Sequence, residues 1–169
     1  MTMETRLATA DDLDQILEIN NSAVPHVTHL SSQELADLVR QAVVFLKVCD
    51  ASCIAGFLLA LDHTASYASE NYQWFVRNLD RFVYVDRIAV SEQYRGWGVG
   101  KSLYHDLFHE TLRLNHNRVT CEVNLHPPNP ESLQFHKKLG FEEIAQLRHA
   151  RDEKVVSLLD LKTRKTGRD

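Results

Sequence analysis

The chain has 169 residues, 44% of them hydrophobic and 25% charged, with a formal net charge of −4. That balance fits one ordinary globular domain, 1–169, long enough to bury a core, and it argues against a nucleic-acid-binding surface. No apolar run approaches membrane-spanning length, "MTMETRLATADD" lacks the regions of a signal peptide, and three cysteines fit a reducing cytoplasm better than a disulfide framework.

A short strand is predicted near Arg6 and Leu7. Asp11 or Asp12 then caps a helix with Leu13, Ile16, Leu17 and Ile19 on one face, and Ser31 or Ser32 caps a second with Leu35, Leu38 and Val39 at helical spacing. The apolar runs 43–48 and 53–61 flank a short polar turn and predict a β-hairpin. Residues 62–80 show no sustained period and read as a long loop or broken helix. "RFVYVDRIAV" (81–90) is a strand by its β-branched and aromatic content. An amphipathic helix follows from Gly98 to about Leu114, then the strand "RVTCEV" and the proline-rich turn "NLHPPNP". A short helix starts at Pro130 and ends at Gly140. "IAQLRHA" and "KVVSLLDL" close the chain as two strands, and "KTRKTGRD" reads as a frayed tail. The helical crossover around the glycines implies a parallel strand pair and the hairpins imply antiparallel ones, so the fold class is α/β (α+β), a mixed sheet flanked by helices.

The stretch "VDRIAVSEQYRGWGVGKSL" holds Gly96, Gly98 and Gly100, half of the six glycines in the chain. A strand, a glycine-rich turn and a helix N-terminus together form an anion-binding arrangement. First-turn N–H groups lack helical partners, and glycine lets a ligand approach them without meeting a Cβ. The expected visitor is a phosphate or pyrophosphate, with Arg95 and Lys101 adding charge. Both common nucleotide motifs fail on spacing: no glycine precedes "GVGKS" at the distance a P-loop needs, and "GWGVGK" is not G-x-G-x-x-G. The bland alternative is a turn with a structural task only.

"RGWGVG" matches the Arg/Gln-x-x-Gly-x-Gly/Ala signature of the GNAT acetyltransferases, with Arg95, Gly98 and Gly100 in its fixed places. "NPESLQFHKKLGF" is similar to the later motif of that family, and the element order fits along nearly the whole chain. "EVNLHPPNPES" also resembles small bacterial members without an assigned substrate. The resemblance implies the GNAT fold, with its central sheet splayed between the fourth strand (82–90) and the fifth (118–124). It implies an acyltransferase that moves an acetyl group from acetyl-CoA to a primary amine by direct attack in a ternary complex. The backbone of Ile88, Ala89 and Val90 would pair with the pantetheine amides. The pyrophosphate would lie on the N–H groups of Gly96, Trp97, Gly98, Val99, Gly100 and Lys101, beside Arg95. Asn129 would bond the cofactor near its thiol end.

In several relatives of this kind a Glu on the fifth strand is the base and a Tyr four residues before the helix-ending Gly is the acid. Here Glu122 lies on the fifth strand and His136 replaces the tyrosine. "NLHPPNP" also adds two residues between Glu122 and Asn129 relative to common members. Asp86, a carboxylate within an apolar strand, competes with Glu122 as the base that takes the amine proton; its bland role is a salt bridge with Arg87 or a helix lysine. Water alone is a third option. For His136 the alternatives are an acid beside the departing thiolate and a helix residue that only packs.

The remaining polar features rank lower. His105 and His109 are spaced for a metal but read as a solvated face, so no metal is expected. Cys49, Cys53 and Cys121 read as small buried residues. Tyr67, Tyr72, Trp74 and Phe75 either wall an acceptor pocket or pin their loop to the core. His26 and His29 are weaker candidates for the border of that pocket. The favoured acceptor is a small-molecule amine, with a protein or peptide amine second and a non-catalytic acyl-CoA sensor third. A homodimer is a family-level expectation, and the cytoplasm is the setting expected from the cysteine count.

Overall fold

The computed structural model describes residues 3–51 and 53–163. Seven strands among them form one mixed sheet in the order β1-β2-β3-β4-β5-β7-β6. They are β1 (Glu4–Leu7), β2 (Val44–Asp50), β3 (Cys53–Asp62), β4 (Val83–Val90), β5 (Arg118–His126), β6 (Glu142–Arg148) and β7 (Val155–Lys162). The helices are α1 (Leu13–Ser22), α2 (Ser32–Gln41), α3 (Glu70–Asn78), α4 (Val99–Arg113) and α5 (Pro130–Leu139). This is the mixed, helix-flanked architecture expected. No helix of the described residues is long and apolar enough to cross a membrane.

Contacts group the chain into two compact units, one of residues up to Leu61 with Val85–Glu110, the other of Asp62–Tyr84 with residues from Thr111 onward. In the first, β1, β2 and β3 form an antiparallel meander, shifted by a bulge between Val48 and Cys49. Every residue of β3 from Ile54 to Leu61 is buried, as a strand covered on both faces requires. Ser31 and Glu34 make a reciprocal capping box that starts α2. Asn21 holds the preceding loop in place by accepting from Leu30 N–H at 3.0 Å and donating to its carbonyl at 2.9 Å. Gly56 lies on β3 where a Cβ would come within 2.8 Å of both the Ala89 carbonyl and the Val99 side chain. Only glycine lets the start of α4 sit that close.

In the second unit β5, β7 and β6 are antiparallel neighbours. The parallel β4–β5 ladder has only the pairs Val83↔Val119 and Tyr84↔Thr120, consistent with a sheet that splays between these strands. Gly140 ends α5 in the left-handed region at φ +101°.

Two sequence expectations need correction. The stretch 62–80 contains a nine-residue helix, α3, capped by Ser69. Its buried side chains are Asn71, Tyr72 and Phe75, so the hidden face mixes amide and aromatic groups and shows no plain apolar stripe. Of the stretch 162–169 expected as a tail, Lys162 belongs to β7, and residues 164–169 lie outside the described residues.

Candidate active site

The glycine turn lies in the first unit. After β4, a 3₁₀ turn over Glu92–Tyr94 leads through Arg95 to Gly96 and Gly98, at φ +79° and +80°. Those values are strained for any residue with a Cβ. A Cβ built on either glycine meets no heavy atom within 4 Å, so the turn presents bare backbone to open space. Ser102 N–H donates to the Gly98 carbonyl at 3.0 Å, the first bond of α4. Helix geometry therefore leaves the N–H groups of Val99, Gly100 and Lys101 without intrahelical acceptors. Arg95, Trp97 and Lys101 are exposed beside them. The surface has the shape and polarity to hold a pyrophosphate.

Along β4, Ile88 and Val90 are half-buried and Ala89 is buried, its carbonyl directed at Gly56. Asp86 is not a free carboxylate. Its Oδ2 accepts from Arg87 Nε at 2.8 Å, with both side chains almost wholly buried. Arg87 also donates to Asn20 Oδ1 at 3.0 Å and to the Thr28 carbonyl at 3.3 Å. The salt-bridge alternative for Asp86 is the one the structure shows.

Glu122, Asn129 and His136 lie in the second unit. Glu122 is half-buried on β5, and its Oε1 accepts from the Tyr84 hydroxyl at 2.9 Å. Tyr84 is fully buried among aromatic rings, with Tyr72 at 5.4 Å and Phe75 at 5.8 Å. A carboxylate oriented by a buried phenol is a suitable base for an amine. Asn129 caps α5, its Oδ1 accepting from Ser132 N–H at 3.4 Å, which leaves its side-chain amide as a donor.

His136 is buried, 3% exposed, with Phe135 and Phe141 edge-on at 5.2 and 5.4 Å. Its Nδ1 lies 2.7 Å from the Ser132 carbonyl, which can only accept, so Nδ1 carries the proton. Burial holds the imidazole below the ordinary histidine value, with that bond opposing the shift. The ring is thus neutral near pH 7, and the neutral Nδ1–H tautomer has its lone pair at Nε2.

Tyr84 and the Arg87–Asn20 pair are the polar groups that sequence reasoning passed over. The signal for Tyr84 was its place two residues before Asp86, on the same face of one strand. Of the lower-ranked features, His105 and His109 approach at 3.4 Å on an exposed helix face. Of the three cysteines, Cys121 is buried, Cys49 half-buried and Cys53 exposed. Tyr72 and Phe75 are core residues that pin their segment, while His26 and His29 are exposed.

The profile of the Acetyltransferase (GNAT) family matches residues 13–141. An N-alpha-acetyltransferase of Sulfurisphaera tokodaii is 27% identical over 157 residues, covering 85% of this chain and 83% of its own. The fold is similar to that of Ard1 from Thermoplasma volcanium, with a TM-score of 0.78 at 20% identity over 98% of this chain and 100% of that one. It is also similar to that of yncA from Salmonella typhimurium, solved with its cofactor acetyl-CoA, with a TM-score of 0.72 at 17% identity over 100% and 98% of the two chains. With the glycine turn at the start of α4 and the order of its strands, the matched span places the chain in the GNAT acetyltransferase family.

Proposed function

We propose that this acetyltransferase, whose acetyl donor is acetyl-CoA, delivers the acetyl group to the α-amine of a polypeptide. The observation that carries the reading is the likeness to an N-alpha-acetyltransferase along 83% of that relative's length. It moves the favoured acceptor from a small molecule to a peptide N-terminus. Elementary chemistry agrees. An α-amine has a pKa of about 7.7–8.0 against about 10.4 for a lysine, so a useful fraction is already neutral and one modest base suffices. Glu122 is that base, held by Tyr84. Asp86, fixed by Arg87, supports the strand and its charge.

In this reading the N–H groups from Gly96 to Lys101 hold the pyrophosphate, with Arg95 and Lys101 beside it. The backbone of Ile88–Val90 pairs with the pantetheine, and the Asn129 amide reaches its thiol end. His136 can act as an acid toward the departing thiolate only as the imidazolium, since its Nδ1–H is engaged by Ser132. Its stated role is therefore testable by pH. Residues 1–169 work as one acetyltransferase domain, and a chain with three cysteines suits a cytoplasmic setting.

The test is CoA release with three acceptor sets: peptides with free N-termini, the same peptides N-blocked but carrying lysine, and small primary amines. Turnover confined to free N-termini is expected. Turnover confined to small amines restores the alternative acceptor. Tight acetyl-CoA binding with no turnover in any set makes the protein a sensor.

A further inference from the structure

Asp62, His63 and His116 are used by none of the chemistry above. Asp62 ends β3 and His63 follows it; His116 sits in the turn between α4 and β5. Far apart in sequence, they converge within the second unit, where one ligand atom from each lies within 4.8 Å of the other two. His63 and His116 stack edge to face at 5.2 Å, and Phe82 walls His63 at 6.2 Å.

Nδ1 of His63 and Nδ1 of His116 are both buried and have no hydrogen-bond partner among the described residues. His116 is only 6% exposed. Buried polar atoms left unpartnered are rare, and two on touching imidazoles point to a group that both would bind. Backbone geometry fixes His116 in place: Asn115 takes φ +58° and His116 N–H donates to the Thr111 carbonyl at 2.9 Å. Thr64 orients the carboxylate, donating to Asp62 Oδ1 from its N–H at 2.8 Å and its hydroxyl at 2.6 Å, as the partners of ligating carboxylates do. Asp62 and His63 are half-buried, which gives an ion a way in.

We propose that Asp62, His63 and His116 form a binding site for a divalent transition metal, with Zn²⁺ the best fit. Two imidazoles and one carboxylate with a fourth position open to water is a zinc donor set. Bonds of about 2.0–2.1 Å place tetrahedral ligand atoms roughly 3.3 Å apart, so the cluster needs to close by about an ångström and a half at its widest.

The experiment titrates tag-free protein with Zn²⁺ alone by calorimetry, and with Co²⁺ alone by visible absorption. The background is the His105→Ala/His109→Ala variant, which removes the exposed helix pair. One saturable equivalent is expected, together with a metal-dependent rise in melting temperature. His63→Gln and His116→Asn should each weaken binding by at least about tenfold, given that even outer-shell changes cost 10–100-fold. Unchanged affinity in folded His63→Gln, or no saturable binding in the background protein, overturns the proposal. If His116→Asn does not fold, the half-exposed His63→Gln decides alone.

Discussion

Replacing Gly98 by Asp tests the cofactor surface most directly, with Gly98→Ala as its control. Gly98 has φ +80° and open space around a built Cβ, so neither change clashes with the protein. The stability loss should then be the left-handed strain alone, roughly 1–2 kcal/mol, and a drop in melting temperature of a few degrees for a chain of this size. Binding should respond differently. A carboxylate about 5 Å from one phosphate charge costs roughly 0.8 kcal/mol at the dielectric of water and about 3.3 kcal/mol at an effective value near 20. Acetyl-CoA affinity should therefore fall about fourfold to a few hundredfold in Gly98→Asp beyond any loss in Gly98→Ala. Calorimetry at low and high salt separates the charge effect, because added salt should narrow the gap between the two variants. Equal affinities for folded wild type and Gly98→Asp would refute the assignment of this turn to the pyrophosphate.

Tyr84→Phe removes the donor to Glu122; it should lower stability by about 1.5–3 kcal/mol and move the acidic limb of the rate profile to higher pH, while an unmoved limb would exclude Glu122 as base. Glu122→Gln should lower turnover with acetyl-CoA affinity nearly intact, whereas Asp86→Asn should cost about 3–5 kcal/mol of stability by leaving Arg87 without its buried counter-charge; chemical denaturation and CoA release distinguish them. Because burial lowers His136 in the folded state, the unfolded chain binds its proton first, so this residue removes stability as pH falls below about 6.5. His136→Gln should accordingly lose less melting temperature than wild type between neutral and acidic pH. A slope equal to wild type would mean the ring is not desolvated. If His136→Ala also turns over normally, the thiolate takes its proton from water.

The glycine turn was legible because positive φ at Gly96 and Gly98 demands glycine itself, whatever the rest of the fold does. The strands were legible for a similar reason: β3 is buried on both faces, so its apolar run has no gaps. Helix α3 was hidden by composition. Only Tyr72 and Phe75 mark an apolar inner face, Asn71 is buried with them, and Val76 faces outward at 39% exposure. The candidate carboxylates Glu122 and Asp86 were visible as residue types, but their partners were not. Tyr84 reaches Glu122 across 38 positions and Arg87 reaches Asn20 across 67, and no local pattern encodes such pairings. His136 was placed correctly on its helix, while the tautomer that decides its chemistry depends on the Ser132 carbonyl one turn earlier.

Gly56 carries a consequence for mutational tolerance. The Ala89 carbonyl and the Val99 side chain both occupy the space its side chain would need. Arg95 and Trp97, by contrast, are exposed, so their side chains fill no such interior space. Drift at this interior strand position should therefore be nearly forbidden. Even Gly56→Ala must displace either the β4 backbone or the first residue of α4, and so re-aim the helix N–H groups from behind. Laboratory selection for altered donor preference should find its compensating changes beneath the turn, at residues lining this contact, rather than among the side chains that rim it.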